Sequence, residues 1–231
     1  MKAVFFDAGG TLVHIDHARV ASAIRTTLGR EVGEDALVAA EYAGRDAIER
    51  AMADGTGGTD ASRWTLHFRS MLGALGVSDA EFASVAPAIV SEHKRLHLWS
   101  RTAPGTAAAL AALGRAGWLV ACISNADGTV EDLLARVGLR EHLAFVVDSG
   151  VVGVEKPDPG IFEIALRRSG MSASESYYVG DLFPVDVVGA QGAGMVPVLL
   201  DPLGRYRERG CRTTPDVPAF CRELVSAAAA A

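Results

Sequence analysis

Lys2-Ala3-Val4-Phe5-Phe6-Asp7-Ala8-Gly9-Gly10-Thr11-Leu12 runs from an apolar stretch into a turn too rich in glycine to pack, with one carboxylate at the junction. A buried strand ending this way delivers Asp7 to a loop mouth, a position suited to chemistry more than to packing. Working outward, apolar runs recur at residues 119–123, 144–147, 177–179 and 196–200. Each is followed at once by polar residues: Ser124-Asn125, Asp148-Ser149, Gly180-Asp181 and Asp201. From about Gly105 onward these runs alternate with helix-like segments, the mark of a parallel sheet covered by helices. With residues 4–6 included, five strands carry polar groups at their carboxyl ends. In open α/β sheets that edge is where ligands bind. The expected fold is therefore α/β, a doubly wound parallel sheet.

The helices between the strands are readable from their ends. Asp158-Pro159 supplies an N-cap and a first-turn proline, Ile161, Phe162, Ile164, Ala165 and Leu166 an apolar face, and Gly170 a stop. Residues 106–116 form an alanine-rich helix ending near Gly117. Between Asp16 and Leu98 the pattern is helical alone: Val20, Ile24 and Leu28 mark one helix, and Trp64, Phe68, Met71, Leu72 and Leu75 another. Ser78 and Glu81 form a capping box for the next, and residues 54–62 a connector. The expected division is an α/β core of residues 1–15 and 99–231 and an all-helical insert of residues 16–98, lying as a lid above the first strand's carboxyl end. The terminal alanine run reads as a frayed helix end or tail.

Composition sets bounds. The chain has 231 residues, a net charge of −6 and 49% hydrophobic residues, enough for a generous core. An acidic balance without a long Lys/Arg run argues against nucleic acid and anionic membrane surfaces as partners. Arg205, Arg207, Arg209 and Arg212, the densest basic cluster, read as a solvated loop. The first residues resemble no export signal and no segment reaches spanning length, and with the scattered Cys122, Cys211 and Cys221 the expected location is a reducing cytoplasm.

Three further segments fall in order after Asp7: Ile123-Ser124-Asn125-Ala126-Asp127, Val154-Glu155-Lys156-Pro157-Asp158-Pro159, and Val179-Gly180-Asp181 followed by Asp186-Val187-Val188-Gly189-Ala190. Together with Asp7 they resemble the four signature motifs of the haloacid dehalogenase-like (HAD) superfamily, and the helical insert resembles that family's C1 cap. The resemblance implies a Rossmann-like core and a hydrolase, with a phosphatase of small phosphorylated metabolites as the main expectation. Asp7 would be the nucleophile, forming an aspartyl-phosphate. Mg²⁺ would be held by Asp7, the main-chain carbonyl of Gly9, Asp181, and Asp186, the last directly or through water. Lys156 would contact Asp7 and the phosphate, and Ser124 would bond a phosphate oxygen, with Asn125 and Gly10 as further phosphate contacts. Gly189, Gly192 and Gly194 are expected to serve close helix–sheet packing.

The chain departs from the pattern at Gly9, where phosphatases of the family usually carry a second aspartate as general acid and base. A positioned acid is worth about 10²–10⁴ in rate, so turnover should favour good leaving groups and the aspartyl-phosphate should linger. His14 or His17 could carry the proton instead; His67, His93 and His97 read as surface residues of the insert, and Arg45 and Arg63 as cleft-facing or solvated. Two other readings remain: a 2-haloacid dehalogenase, which usually carries tyrosine where Gly9 stands and lacks Gly180-Asp181, and a non-catalytic HAD-like phosphate-binding protein.

Overall fold

The computed structural model describes residues 2–229, except the side chains of residues 60 and 61. In chain order, β1 (Lys2–Phe6) and β2 (His14–Ile15) lead to α1 (His17–Leu28), α2 (Glu34–Ala53), α3 (Asp60–Ala74) and α4 (Asp79–Arg95). After β3 (Trp99–Arg101) come α5 (Thr106–Arg115), β4 (Trp118–Ser124), α6 (Val130–Arg136), β5 (Val146–Asp148), α7 (Ser149–Val152) and α8 (Pro159–Ser169). The remainder is β6 (Ser176–Gly180), α9 (Val188–Gly192), β7 (Val196–Leu200), β8 (Arg212–Thr214) and α10 (Val217–Ala229). The tail expected after α10 falls on residues 230 and 231, outside the described residues.

Six strands make one parallel sheet in the order β5-β4-β1-β6-β7-β8. Five of them overlap the strands read from the sequence, β5 beginning two residues later than expected; β8, an Arg-Thr-Thr segment, has no apolar run to announce it. β1 is central because Ala3, Val4, Phe5 and Phe6 are all fully buried, as a strand covered on both faces requires. Alternation along β6 shows the two layers: the Tyr178 ring meets Phe162 of α8 at 5.0 Å, while its neighbour Tyr177 meets Phe220 of α10 at 5.6 Å. Helices therefore lie on both faces, and the sheet is doubly wound. Asp158 accepts from Gly160 N at 2.8 Å to cap α8, which ends at Gly170 as expected.

Register decides what reaches the functional edge. Phe6 pairs with Cys122 of β4 on one side and Val179 of β6 on the other. Asp7 just after β1, Ser124 at the end of β4 and Gly180 at the end of β6, with the residues that follow them, thus emerge side by side. Successive strands leave β1 in opposite directions there, which is the crevice where open α/β sheets bind ligands.

Residues Ile15–Ser100 form a second compact unit, distinct from the one built by Met1–His14 and Arg101–Ala231. Its helices α1 to α4 pack around Ile24, Leu37, Phe68, Met71, Leu72 and Val85. The Ser78 capping box is made, with Ser78 N donating to Glu81 Oε2 at 2.8 Å and Glu81 N to Ser78 Oγ at 3.3 Å. The 20-residue α2 escaped the sequence reading because alanines and charges fill it and few large apolar residues mark a face. The connector expected at 54–62 is shorter, since Thr59 already caps α3.

Several side chains expected at the surface are inside. Arg45 and Arg63 are only 5% and 6% exposed, and His93 and His97 are half-buried against one another and Trp99. Arg209 and Arg212 are likewise half-buried, over Tyr206 and Phe220 respectively, leaving Arg205 and Arg207 exposed. Inside the helical unit His17 Nε2 meets Glu41 Oε1 at 2.5 Å, and Arg45 lies 3.5 Å from Glu41 Oε2. Burial pushes Glu41 up, but the His17 hydrogen bond and the Arg45 charge outweigh it and leave the carboxyl at about 2. Burial pushes His67 down to about 4, with Glu41 opposing and Arg45 and His17 adding to the shift.

These shifts make the unit acid-sensitive. His67 titrates at about 4 when folded against 6.5 when free, so between those values only the unfolded chain holds the proton. The His67 contribution is complete above 6.5 and is lost as pH falls toward 4, about 3 kcal/mol in all. Thermal unfolding followed from pH 7 to 4 should show this slope in the wild type and a flatter one in His67→Phe; equal slopes would refute the assignment.

Candidate active site

Asp7 ends β1 with its main-chain N–H donating to Val179 O at 2.8 Å, which fixes it against β6. The turn behind it closes on Ala8, whose carbonyl accepts from the N–H groups of Thr11, Leu12 and Val13. Gly10 has φ of +83°, and a Cβ there would stand 2.3 Å from Asp181 Oδ2. At Gly180 a Cβ would stand 2.2 Å from Asp186 Cγ. Both glycines are needed for space: they clear room for two carboxylates to approach the main chain.

Lys156 is 2% exposed and makes three hydrogen bonds, to Asp7 Oδ1 at 2.6 Å, Tyr178 Oη at 2.7 Å and Asp186 Oδ1 at 2.8 Å. An ammonium has three protons, so all are used. The Lys156 main chain is held in turn by Asn125, which accepts from Lys156 N at 2.7 Å and donates to Lys156 O at 3.0 Å, just before a cis Lys156–Pro157 bond. Asp186 lies in a short π-helical segment, Phe183–Val187, and its Oδ2 accepts from Asp181 N at 3.0 Å and Leu182 N at 2.9 Å.

One oxygen from each of Asp7, Asp181 and Asp186 lies within 4.8 Å of the others. Three buried carboxylates against one ammonium leave excess negative charge. Burial pushes the Asp7 carboxyl up to about 8, opposed by the Lys156 charge and reinforced by Asp186 and Asp181. Burial alone would lower Lys156, but Asp186 and Asp7 more than reverse it and hold it charged. Such an all-oxygen, over-negative set suits a hard divalent cation.

Of the residues singled out in the sequence, Asp7, Lys156, Asp181 and Asp186 meet directly. Ser124, 3% exposed, ends β4 at the same edge, and its hydroxyl makes a long 3.4 Å contact to Asn125 O. Asn125 is spent on the Lys156 main chain, and half-buried Gly9 bridges to Val13. His17 belongs to the helical unit and is engaged there by Glu41. Gly189 packs on α8, since a Cβ would meet Phe162 at 2.7 Å. Two residues have roles that their place in the sequence does not announce. Asp148 accepts from the N–H groups of Gly128, Gly150 and Val130, and so buttresses the loop after β4. Tyr178 escaped notice as one more apolar strand residue, though a buried phenol needs a partner and that need was the available signal.

Residues 1–194 match the haloacid dehalogenase-like hydrolase family. The chain is 34% identical over 155 residues to glyceraldehyde 3-phosphate phosphatase of Methanopyrus kandleri, covering 67% of this chain and 66% of that protein. It is 30% identical over 227 residues to phosphoserine phosphatase of Thermus thermophilus, covering 87% and 89%. The solved HAD-hydrolase YfnB of Bacillus subtilis, bound to magnesium, superposes with a TM-score of 0.67 at 19% identity over 96% and 98% of the two chains, a likeness of fold. The chain spans about two thirds of the length of the Methanopyrus relative, and about half that of haloacid dehalogenase-like hydrolase domain-containing protein 3 of Mus musculus, to which it is 36% identical over 121 residues. The chain belongs to the haloacid dehalogenase-like hydrolases.

Proposed function

We propose that this hydrolase is a Mg²⁺-dependent phosphatase of small phosphorylated metabolites in which Asp7 attacks phosphorus and forms an aspartyl-phosphate. The observation that carries the reading is the Lys156 ammonium held between Asp7 and Asp186, with the Asp181 carboxylate beside them. Mg²⁺ would be held by Asp7, Asp181, the Gly9 carbonyl and Asp186, and would supply positive charge that lets an anionic nucleophile approach an anionic phosphate. Lys156 opposes the burial that disfavours the Asp7 charge, and aims the carboxyl. Ser124 bonds a phosphoryl oxygen, with Asn125 and the Gly10 main chain beside it. Asp186, whose oxygens already take the Lys156 ammonium and two main-chain N–H groups, chiefly organises the other charges. Relatives named as phosphatases support the reaction class. In this reading residues 16–98 are the counterpart of a C1-type cap domain, and residues 1–15 and 99–231 that of the catalytic core.

Gly9 sets the limit on turnover. No carboxyl stands there to protonate the leaving oxygen or to activate water afterwards, so acyl and aryl phosphates, which leave without a proton, are the best substrates. Phosphate release from a panel of esters, with Mg²⁺ and with a chelator, tests the reading; turnover indifferent to the chelator would defeat it. Pre-steady-state release of the leaving group should show a burst followed by a slow phase, with phosphate appearing only at the slow rate. Gly9→Asp should remove the burst and raise turnover of alkyl phosphates by about 10²-fold or more. An unchanged rate with no burst would mean that the acid is supplied elsewhere.

A further inference from the structure

We propose, on the reading of Asp7 as nucleophile, that Tyr178 is the positioning residue that locks the Lys156 ammonium. Tyr178 is fully buried on β6, paired with Phe5 of β1, and its ring is braced edge-on by Phe162 at 5.0 Å. Its oxygen accepts from Lys156 Nζ at 2.7 Å. Its single proton is shared between Ile123 O and Asp186 Oδ1, both at 3.1 Å. Ile123 lies on β4 and Tyr178 on β6, the two strands that flank β1, so one phenol ties together the main chain leading to Ser124, the Asp186 carboxylate and the cation facing Asp7.

The arrangement follows from counting protons. Two of the three Lys156 protons go to Asp7 and Asp186, the carboxylates whose surroundings change when cation and phosphate arrive. The third goes to a neutral acceptor that the chemistry leaves untouched. Without the phenol that proton is unpaired in a site where Lys156 is 2% exposed, and the ammonium must swing toward one carboxylate to recover a partner. Tyr178 touches neither phosphate nor metal in this scheme and acts only through Lys156 and Asp186.

Tyr178→Phe removes one oxygen and keeps the ring. With an aryl phosphate and saturating Mg²⁺, kcat should fall about tenfold to a hundredfold, as for other residues that orient a catalytic group, with KM nearly unchanged. In a Lys156→Met background the same substitution should cost far less, only what the Asp186 contact contributes, whereas a merely structural role would cost the same in both. A readout independent of turnover is the ¹⁵N resonance of the Lys156 ammonium, expected to be sharp and slowly exchanging in the wild type and lost in Tyr178→Phe. Wild-type kcat with a retained ammonium signal in Tyr178→Phe overturns the assignment and leaves the phosphatase reading standing. Absence of Mg²⁺-dependent turnover in the wild type overturns the phosphatase reading, and the ammonium signal then decides by itself whether Tyr178 holds Lys156.

Discussion

Asp7→Asn is expected to abolish turnover, by about 10⁴-fold or more in kcat, because it removes the atom that bonds to phosphorus and no neighbour can replace it. The fold should survive. Asp7 sits at a strand end where burial already disfavours its charge, and the neutral amide fits the same space. Lys156 keeps Asp186 and Tyr178 as partners. Steady-state rates on an aryl phosphate, with the thermal midpoint measured alongside, separate the two effects. A variant that retains a tenth of the activity would show that Asp7 is not the nucleophile.

Lys156→Met is expected to damage stability and catalysis together. It leaves Asp7 and Asp186, with Asp181 close by, facing one another in a buried site without their cation. Removing one partner of a buried ion pair costs about 3–5 kcal/mol, far more than the loss of an exposed pair such as Arg69–Asp79. Urea unfolding at neutral pH should show that loss, and turnover should fall by about 10²–10³-fold as the charge beside the nucleophile disappears. An unfolding free energy within 1 kcal/mol of wild type would mean that the three carboxylates are not charged together as the geometry implies.

Much of the site was legible because its chemistry is written in short stretches. Asp7, Ser124 and Gly180-Asp181 each follow an apolar run, so strand periodicity alone sends them to one sheet edge. Gly10 and Gly180 were visible as glycines, but their purpose, room for Asp181 and Asp186, appears only in three dimensions. Asn125 was legible as a polar residue at the right edge, not as the clamp on Lys156, because that bond spans 31 positions. Tyr178 was hidden for a related reason: adjacent Tyr177 and Tyr178 look equivalent in sequence, and only alternation across the sheet sends one to Phe220 and the other to Lys156. In the helical unit, Arg45, Arg63 and His67 read as surface groups because single polar residues on a helix usually are. Arg45 and Arg63 are buried and His67 half-buried because of how α2 and α3 pack, with Gly44 open to the His67 ring. β8 and α2 were missed where residue type says little, a strand without apolar residues and a helix built on alanine.

The central claim is that Asp7 takes the phosphoryl group, and trapping that bond tests it most directly. Wild-type protein mixed with an aryl phosphate and Mg²⁺, quenched in acid and digested, should yield the peptide containing Asp7 carrying one phosphoryl group by mass spectrometry. Slow breakdown without a base at Gly9 favours its accumulation, and Asp7→Asn or a chelator should abolish it. Phosphate released from the same reaction with no modified Asp7 peptide at any quench time, or with the label on another residue, would contradict the account.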